Sequence, residues 1–459
     1  IMAMLADLSN VITSVAFNLG IALLFALTLL GAYGVVYNLV ALEHPQKGAR
    51  GNNTRAASAA GMLGALFVGV IGNLEAVLEL VRGLNLPFIP GSLWVWLDIE
   101  DINVPLTEQL WPPDRWRFWW WWRASRVIHD RDLVGVSIGL QPIDEFPMFS
   151  FLLGDMHPHV LALPFVLAAL GLALNAVTQR ETPLRPVSQF LFYALVFGGL
   201  AFLNTWDLPF YLFVLFGALV VRRIREVSTF RAVDLWPVVL KLASLLAVGL
   251  IAYLPWYISF SSQAGGILPN AIFPTRLRQF VVMFGSFLFI IICFLIDQAA
   301  RYRASMAWGR GIGLAAGVLC TLIIVISSAG LADQGVISEM LPTAVRMALV
   351  HRLRYPWTPL LLAGILALAL ARLLPEEDTR HGPSLSDPAH RDGPPMSVST
   401  GFVLVLILTG ALLTLGPEFV YLRDTFGQRL NTIFKFYYVT WVMFGIAAAY
   451  AVYALLGHS

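Results

Sequence analysis

The chain has 459 residues, of which 58% are hydrophobic and 13% are charged, and it carries a formal net charge of +2. Its mean hydropathy is +0.74. This composition excludes an ordinary soluble protein, in which about 25% of the residues are charged, and it gives no indication of a nucleic-acid partner. We therefore predict an integral membrane protein that has the lipid bilayer as its main partner.

Apolar runs that are long enough to cross the hydrocarbon core of a bilayer recur along the whole chain. They predict a single all-α domain over residues 1–459, a polytopic bundle of transmembrane helices. About eleven spans are expected, at residues 11–41, 57–75, 158–178, 188–203, 208–222, 235–256, 278–298, 309–330, 356–373, 398–415 and 435–456.

Basic residues cluster in alternate connections between these spans, and the positive-inside tendency assigns those connections to the cytoplasm. The clusters are Lys47, Arg50 and Arg55; Arg180 and Arg185; Arg222, Arg223, Arg225 and Arg231; and Arg301, Arg303 and Arg310. Residues 374–397, rich in Pro, Ser, Asp and Gly, fall on the same side and are predicted to form a flexible linker. The remaining connections are then expected on the external face.

The longest external connection is expected at residues 76–157. It is rich in tryptophan, which favours the headgroup level of a membrane, so we expect interfacial helices here. An aromatic belt is the simplest interpretation, and a platform on which sugars stack is the alternative. The tryptophans are Trp94, Trp96, Trp111, Trp116, Trp119, Trp120, Trp121 and Trp122.

The first polar motif, DEFPMFSFLLGDMHPHVLALPF at residues 144–165, sets acids and histidines against the start of a span, where ionisable groups are costly and indicate a functional site. Pro158 suits the first position of a helix, with His157 as N-cap, and the free N–H groups there favour an anion. Asp155, His157 and His159 alternate in an extended lead-in, which suits a divalent cation. Alternatively, these side chains only cap the helix.

Asp144 and Glu145 open this motif as a pair of carboxylates. Such a pair can share a proton or a metal ion, and one member can serve as a general base. Glu145 and Asp155 are therefore candidate catalytic residues. A solvated loop pair explains Asp144 and Glu145 equally well.

The second motif is NTWDLPFY at residues 204–211, which interrupts an apolar run and again places an acid, Asp207, shortly before a proline. It predicts a second outward-facing helix N-terminus. Asn204, Trp206 and Asp207 would then line the cavity that the first motif faces, with Asp207 as a further candidate catalytic acid. A tight turn between two helices is an equally good interpretation.

The third motif is EFVYLRDTFGQRLNTIFKFYY at residues 418–438. Its cations Arg423, Arg429 and Lys435 are expected on the external side, against the positive-inside tendency, where they suit a lipid phosphate or pyrophosphate. The alternative is that they pair with Glu418, Asp424 and phospholipid headgroups. Arg352 and Arg354, just before Pro356, can add to either arrangement.

The eight histidines lie in predicted loops or at the ends of spans, so no axial ligand for haem or chlorophyll is apparent. The two cysteines, Cys293 and Cys320, fall inside predicted spans without metal-like spacing. A divalent metal is therefore the one cofactor that the sequence suggests.

Together, EFPMFSFLLGDMHPH, NTWDLPFY and RLNTIFKFYY resemble the Chlor_Arch_YYY family of polytopic membrane proteins, and the resemblance extends from residue 16 to Tyr438. The resemblance implies a prokaryotic cytoplasmic membrane and a relation to the GT-C glycosyltransferases, which take sugars from polyprenyl-phosphate donors at the external face. It also implies that Asp155, His157, His159 and Asp207 belong to the site.

The family pattern includes a tyrosine triplet and an external acidic loop upstream of the first block, and neither is present here. Since the chain starts at Ile1 without a recognisable signal peptide, we expect N-terminal spans to be missing. In GT-C enzymes the first external loop supplies the base. The chain then lacks this base, takes it from a missing segment, or is not catalytic.

We expect a sugar transfer at the external membrane face, in which an acid deprotonates the acceptor. A lipid-linked sugar donor would be held by a metal cation or by polar side chains of the motifs. These side chains are His157, His159, Asn204, Arg423, Arg429 and Lys435. The alternative is a non-catalytic structural or accessory subunit of a larger membrane complex, with the tryptophan-rich loop as its docking surface. A lipid transporter is a weaker interpretation, because no continuous polar path crosses the spans.

Overall fold

The computed structural model describes residues 2–43, 50–100, 102–103, 120–179, 184–227, 230–262, 265–329, 341–374 and 396–457. Over these residues the chain is almost entirely helical. Residues 375–395, within the expected linker, and Trp111, Trp116 and Trp119 of the expected tryptophan-rich loop lie outside this description.

The described helices are α1 (Met2–Ser9), α2 (Thr13–Ala41), α3 (Arg50–Gly69), α4 (Glu75–Gly83), α5 (Gly91–Leu97), α6 (Trp120–Arg123), α7 (Pro147–Leu153), α8 (Pro158–Thr178), α9 (Val187–Leu203), α10 (Asp207–Glu226), α11 (Trp236–Ala252), α12 (Leu254–Ser259), α13 (Leu277–Arg301), α14 (Trp308–Ala329), α15 (Leu341–Arg354), α16 (Trp357–Leu373), α17 (Val398–Phe419) and α18 (Leu430–Leu456). Two short strands, β1 (Ile267–Pro269) and β2 (Val420–Leu422), pair antiparallel with Ile267 opposite Leu422.

Each of the eleven expected spans overlaps one of these helices, although several ends differ by four to seven residues; the helices are α2, α3, α8, α9, α10, α11, α13, α14, α16, α17 and α18. Within the described residues, seven are long and apolar enough to cross a membrane by themselves, while α9 and α16 are apolar but shorter. The prediction of an all-α polytopic membrane protein is confirmed.

The two C-terminal spans form the centre of the bundle. In α17 and α18, 89% and 78% of the most apolar stretch is buried, against 22% in Ala232–Ala252 and 11% in Trp308–Ile326. A helix that is apolar all round is buried in the protein or faces lipid. The outer helices α11 and α14 therefore present their apolar side chains to the bilayer. The inner helices α17 and α18 pack against the rest of the protein.

Small residues allow some of these helices to approach closely. A Cβ atom added to Gly198 of α9 would lie 2.8 Å from the carbonyl oxygen of Gly249 in α11, which is too close for any side chain. Membrane helices associate through such contacts because lipid tails leave little hydrophobic driving force between spans.

The long loop, for which interfacial helices were predicted, contains the short helices α5 to α7, and α4 lies at its start; their position at a membrane interface stays a prediction. Trp94 is buried with Leu97 and Val127 in a small apolar cluster that also includes Val282 of α13, so this loop is folded onto the bundle. Trp96, in contrast, is 55% exposed. One tryptophan of the expected belt is thus a core residue, and another is available to the surroundings.

Candidate functional site

The sequence GDMHP fixes the position of Asp155 between two helices. Helix α7 ends at Leu153 and is capped by Gly154, which adopts a left-handed φ of +70°, a conformation that glycine tolerates without strain. The N–H of Asp155 then donates to the Ser150 carbonyl at 2.9 Å. His157 is the extended N-cap of α8 and Pro158 is its first residue, as predicted.

Asp155 organises the residues around it through both of its carboxylate oxygens. Oδ1 accepts the backbone N–H of His157 at 3.0 Å and also contacts Nδ1 of the His157 ring. Oδ2 lies 3.5 Å from Nε2 of His159. This Nε2 is buried and has no hydrogen-bond partner in the described part of the chain, so His159 has an open ligand position beside a carboxylate.

Glu145 approaches the same point from the segment before α7. Its carboxylate, the Asp155 carboxylate and the His159 ring each offer a ligand atom, and these three atoms lie within 4.8 Å of one another. Ser150 donates its hydroxyl to Glu145 at 3.4 Å. Burial raises the pKa of Glu145 above its ordinary value, although the nearby Arg126 opposes this shift.

Among the described residues, the structure thus groups Glu145, Asp155 and His159. The predicted metal ligands were Asp155, His157 and His159. The His157 side chain is 75% exposed; it contacts Asp155 and stacks on the His159 ring, with ring centres 6.1 Å apart, but it is not part of the compact group. Metal binding, by the predicted residues or by the observed group, stays a prediction.

The second motif lies across from this group. Asn204 ends α9, and Asp207 begins α10 with its backbone N–H bonded to the Asn204 carbonyl at 2.9 Å. The predicted helix N-terminus is therefore present. Asp207 is 4% exposed, and Lys435 Nζ of the third motif sits 4.7 Å from the centre of the Trp206 ring.

All three motifs meet in one cavity of about 360 Å³ at an end of the bundle. Its polar lining contains acids, histidines, amides and one lysine, and its apolar lining belongs mainly to α8 and α18. The residues that line it are Ile143, Glu145, Leu153, Asp155, His157, Pro158, His159, Leu163, Val166, Asn204, Trp206, Asp207, Tyr211, Phe426, Asn431, Phe434, Lys435, Tyr438, Val439 and Val442.

One face of α18 supplies a wall of the cavity, of which the sequence motifs had indicated only Lys435 as a site residue. The residues Asn431, Lys435, Tyr438 and Val442 recur at helical spacing along this face. The rings of Phe434 and Tyr438 each stand edge-on to His159, with centroids 4.7 Å away. The helical spacing of polar residues in RLNTIFKFYYVTWV could have indicated these positions, but it does not determine which face of the helix lines the cavity.

The neighbours Asp144 and Glu145 have different environments, and neither is solvated. Asp144 is fully buried and accepts N–H bonds from Val127 at 3.0 and 3.1 Å. Its burial raises its pKa to about 7, while Arg126 counteracts this effect. Glu145 lines the cavity and Asp144 does not, so Asp144 supports the loop while Glu145 faces the site.

The arginines predicted for this site do not line the cavity. Arg429 is 1% exposed and forms two bonds to Asp130, at 2.8 and 2.5 Å, and one to Glu418 at 3.2 Å. Burial disfavours its charge, but these two acids raise its pKa above the ordinary value. Arg423 is exposed at the end of β2, where its backbone pairs with that of Gly265 and Gly266. Of the three predicted cations, the cavity contains Lys435.

The cavity combines a compact group of oxygen and nitrogen ligands, a lysine and apolar walls within two spans. Oxygen and imidazole ligands suit a divalent cation, and a lysine suits a phosphate. The geometry therefore fits an amphiphilic ligand whose charged head lies at the end of the bundle and whose apolar part lies between helices.

Residues 1–444 match the model of a protein family described as uncharacterized membrane protein, DUF2298. No curated protein and no solved structure matches the chain. The resemblance to Chlor_Arch_YYY proteins and to GT-C enzymes stays a prediction from the three motifs.

Proposed function

The chain belongs to the DUF2298 family of uncharacterized membrane proteins, and we propose that it is a membrane enzyme that transfers a sugar from a polyprenyl-phosphate donor. The observation that carries this proposal is the single cavity in which Glu145, Asp155 and His159 lie together, with Lys435 and apolar side chains of α8 and α18 in the same lining. An amphiphilic donor needs this combination of polar and apolar walls.

We assign Glu145, Asp155 and His159 as the ligands of a divalent cation. Metal–ligand bonds of about 2.1 Å place ligand atoms roughly 3–4 Å apart, and here they lie within 4.8 Å of one another, so small side-chain rotations close the site. The buried Nε2 of His159, which has no hydrogen-bond partner among the described residues, supports this assignment. When bound, such a cation neutralises charge on a phosphate.

The donor would enter with its phosphate toward Lys435 and His157. The lysine ammonium and an imidazole N–H donate to phosphate oxygens, and both side chains line the cavity. The first isoprene units would lie along Leu163, Val166 and Val442, which form the apolar lining on α8 and α18.

Asp207 is the carboxylate of the lining that lies outside the proposed ligand group, and we assign it as the base. The acceptor hydroxyl gives its proton to Asp207, and its oxygen forms a bond to the anomeric carbon of the sugar. The bond between that carbon and the phosphate oxygen breaks, and the polyprenyl phosphate leaves with the electron pair. Lys435 stabilises the charge that develops on the phosphate. The configuration at the anomeric carbon is inverted.

We place the site on the external face of a prokaryotic cytoplasmic membrane. Arg222, Arg223 and Arg225 lie at the far end of α10, whose first residue Asp207 lines the cavity, and Arg301 likewise ends α13. Clustered basic residues favour the cytoplasmic side, which supports an external cavity.

The test is a donor-cleavage assay in membranes that contain the protein. Radiolabelled polyprenyl-phosphate hexoses, supplied as a panel with Mn²⁺, should yield free polyprenyl phosphate, and Asp155→Asn should lower the rate at least about 100-fold. Glu226→Gln is the matched control, since Glu226 pairs with Arg222 at the opposite end of the bundle. It should cleave the donor like the wild type.

Equal rates for wild type and Asp155→Asn would contradict the proposal, as would no cleavage above membranes that lack the protein. In that case, stoichiometric co-purification with other membrane proteins would favour an accessory subunit.

A further inference from the structure

A second polar cluster lies outside the cavity, where the spans α13 and α16 begin. It consists of Arg131, Arg276, Arg278 and Arg354 around Asp98 and Tyr355, and we refer to it as the arginine patch. None of its members lines the cavity. The two helix starts adjoin, because Thr358 of α16 donates its hydroxyl to the Thr275 carbonyl just before α13, at 2.7 Å.

Asp98 is the carboxylate around which the patch is built. Arg131 forms two bonds to it, at 2.9 and 2.6 Å, and Arg276 forms an ion pair with the same carboxylate. One negative charge thus faces two guanidinium groups, so Asp98 neutralises only half of this inner pair.

Arg278 and Arg354 add two further charges and have no ion pair with any described residue. Arg278 stacks on Trp96, with its guanidinium carbon 5.2 Å from the ring centre, and its Nε donates to the Leu97 carbonyl at 3.2 Å. Its two terminal nitrogens form no hydrogen bond within the described part of the chain. Arg354 lies 5.9 Å from the ring centre of Tyr355.

Three of the neighbouring acids already have other partners. Asp130 and Glu418 hold Arg429, and Glu418 also lies 3.9 Å from Arg352. Asp132 accepts two backbone N–H groups of its own turn. Among the described residues, neither these acids nor the exposed Glu100 forms an ion pair with Arg278 or Arg354.

Exposed apolar side chains border the patch. Leu353 is 77% exposed, Trp357 is 62% exposed and Trp96 is 55% exposed. Tryptophan at the start of a span is typical of the headgroup level of a membrane. Guanidinium groups beside such apolar surface match a ligand with a charged head and an acyl tail more closely than they match a soluble anion.

We propose that the arginine patch binds the phosphate group of a membrane lipid at the boundary of the bilayer, with Arg278 and Arg354 as the residues that recognise it. A guanidinium can direct two N–H groups at two phosphate oxygens. The adjoining helix starts favour an anion as well. The proposal does not depend on the sugar-transfer proposal, because a lipid can bind here whether or not the cavity is catalytic.

The test measures lipid retention by native mass spectrometry after purification into detergent with equal phosphatidylglycerol and phosphatidylcholine. The wild type should retain phosphatidylglycerol, and the double variant Arg278→Gln/Arg354→Gln should retain at least about tenfold less. The control is Arg301→Gln/Arg303→Gln, which removes two arginines at and just beyond the other end of α13. It should retain phosphatidylglycerol like the wild type.

A second experiment distinguishes a lipid ligand from a free phosphate ligand. It measures the thermal unfolding temperature of the protein in inorganic pyrophosphate without added lipid. Stabilisation by pyrophosphate that is lost in the double variant, together with unchanged lipid retention, would retain the phosphate chemistry but overturn the lipid as its source. If the double variant matches the wild type in both arms, the patch has no anion-binding role. Both arms work without a sugar donor, so failure here leaves the sugar-transfer proposal intact.

Discussion

Two groups of charged residues lie at the same end of the bundle, and they differ in how completely their atoms are bonded. In the network of Asp130, Arg429 and Glu418, every member is paired with another, and Thr275 donates its backbone N–H to Glu418 at 3.0 and 3.1 Å. In the cavity, His159 Nε2 has no hydrogen-bond partner among the described residues. In the network the protein itself satisfies every charged group, whereas in the cavity a buried ring nitrogen is left open for a ligand.

This difference predicts opposite effects of neutralisation on stability. A buried charge that loses its partner is strongly destabilising, while a buried site carboxylate whose pKa is raised by burial already costs stability in its charged form. The predictions that follow test this contrast.

The largest effect is expected for Arg429→Met. The change leaves Asp130 and Glu418 buried without their main counter-ion, so the free energy of unfolding should fall by about 3–5 kcal/mol. Denaturant unfolding in detergent measures this loss. The control Arg423→Met removes an exposed arginine and should change stability by less than about 0.5 kcal/mol. Similar losses in both variants would show that the network is not a scaffold.

Asp144 should make stability depend on pH. Its folded-state pKa is raised by burial from 3.8 to about 7, so between these values the folded state binds more protons than the unfolded state. Stability should therefore fall as pH rises from about 4 to 7, by at most about 1.4 kcal/mol per pH unit, and level off above. Asp144→Asn should remove this contribution. If the free energy of unfolding depends on pH in the same way in the wild type and in Asp144→Asn, this contribution of Asp144 is excluded.

Lys435→Met should weaken donor binding by about tenfold, because the cation that faces the donor phosphate is lost. The loss should appear as a higher KM for the polyprenyl-phosphate hexose. Stability should change by about 1 kcal/mol or less, which corresponds to one cation–π contact with Trp206. A large stability loss with an unchanged KM would instead assign Lys435 to the scaffold.

The smallest effect is expected for the stability of Glu145→Gln. Burial raises the pKa of Glu145, which means that the folded protein disfavours its charge. At pH 8 the neutral amide should therefore leave stability unchanged or raise it slightly. A loss of several kcal/mol on chemical unfolding would place Glu145 with the scaffold.

The helix starts of the site could be predicted from local signals. Pro158 after His157, and Asp207 shortly before Pro209, each indicated a helix N-terminus, and α8 and α10 begin there. Such signals act within a few residues of the chain. For the same reason, apolar runs located the eleven span helices, including α9 and α16, which are shorter than the others.

The partners of the arginines could not be predicted in this way. Arg429 pairs with Asp130, which lies 299 positions earlier, and only the packed fold brings them together. Asp144 and Glu145 are adjacent in the sequence, yet one bonds to the loop backbone and the other faces the cavity. Which cation or acid serves the site depends on tertiary packing, which a single sequence does not specify.

The central claim is that the cavity holds a divalent cation, and a Mn²⁺ titration followed by electron paramagnetic resonance tests it most directly. The wild type should bind Mn²⁺ at one site, and Glu145→Gln and Asp155→Asn should each weaken binding at least about tenfold. Asp144→Asn, next to the site but bonded to the loop, should bind like the wild type. Equal Mn²⁺ binding by the wild type, Glu145→Gln and Asp155→Asn, or no binding by the wild type, would contradict the claim.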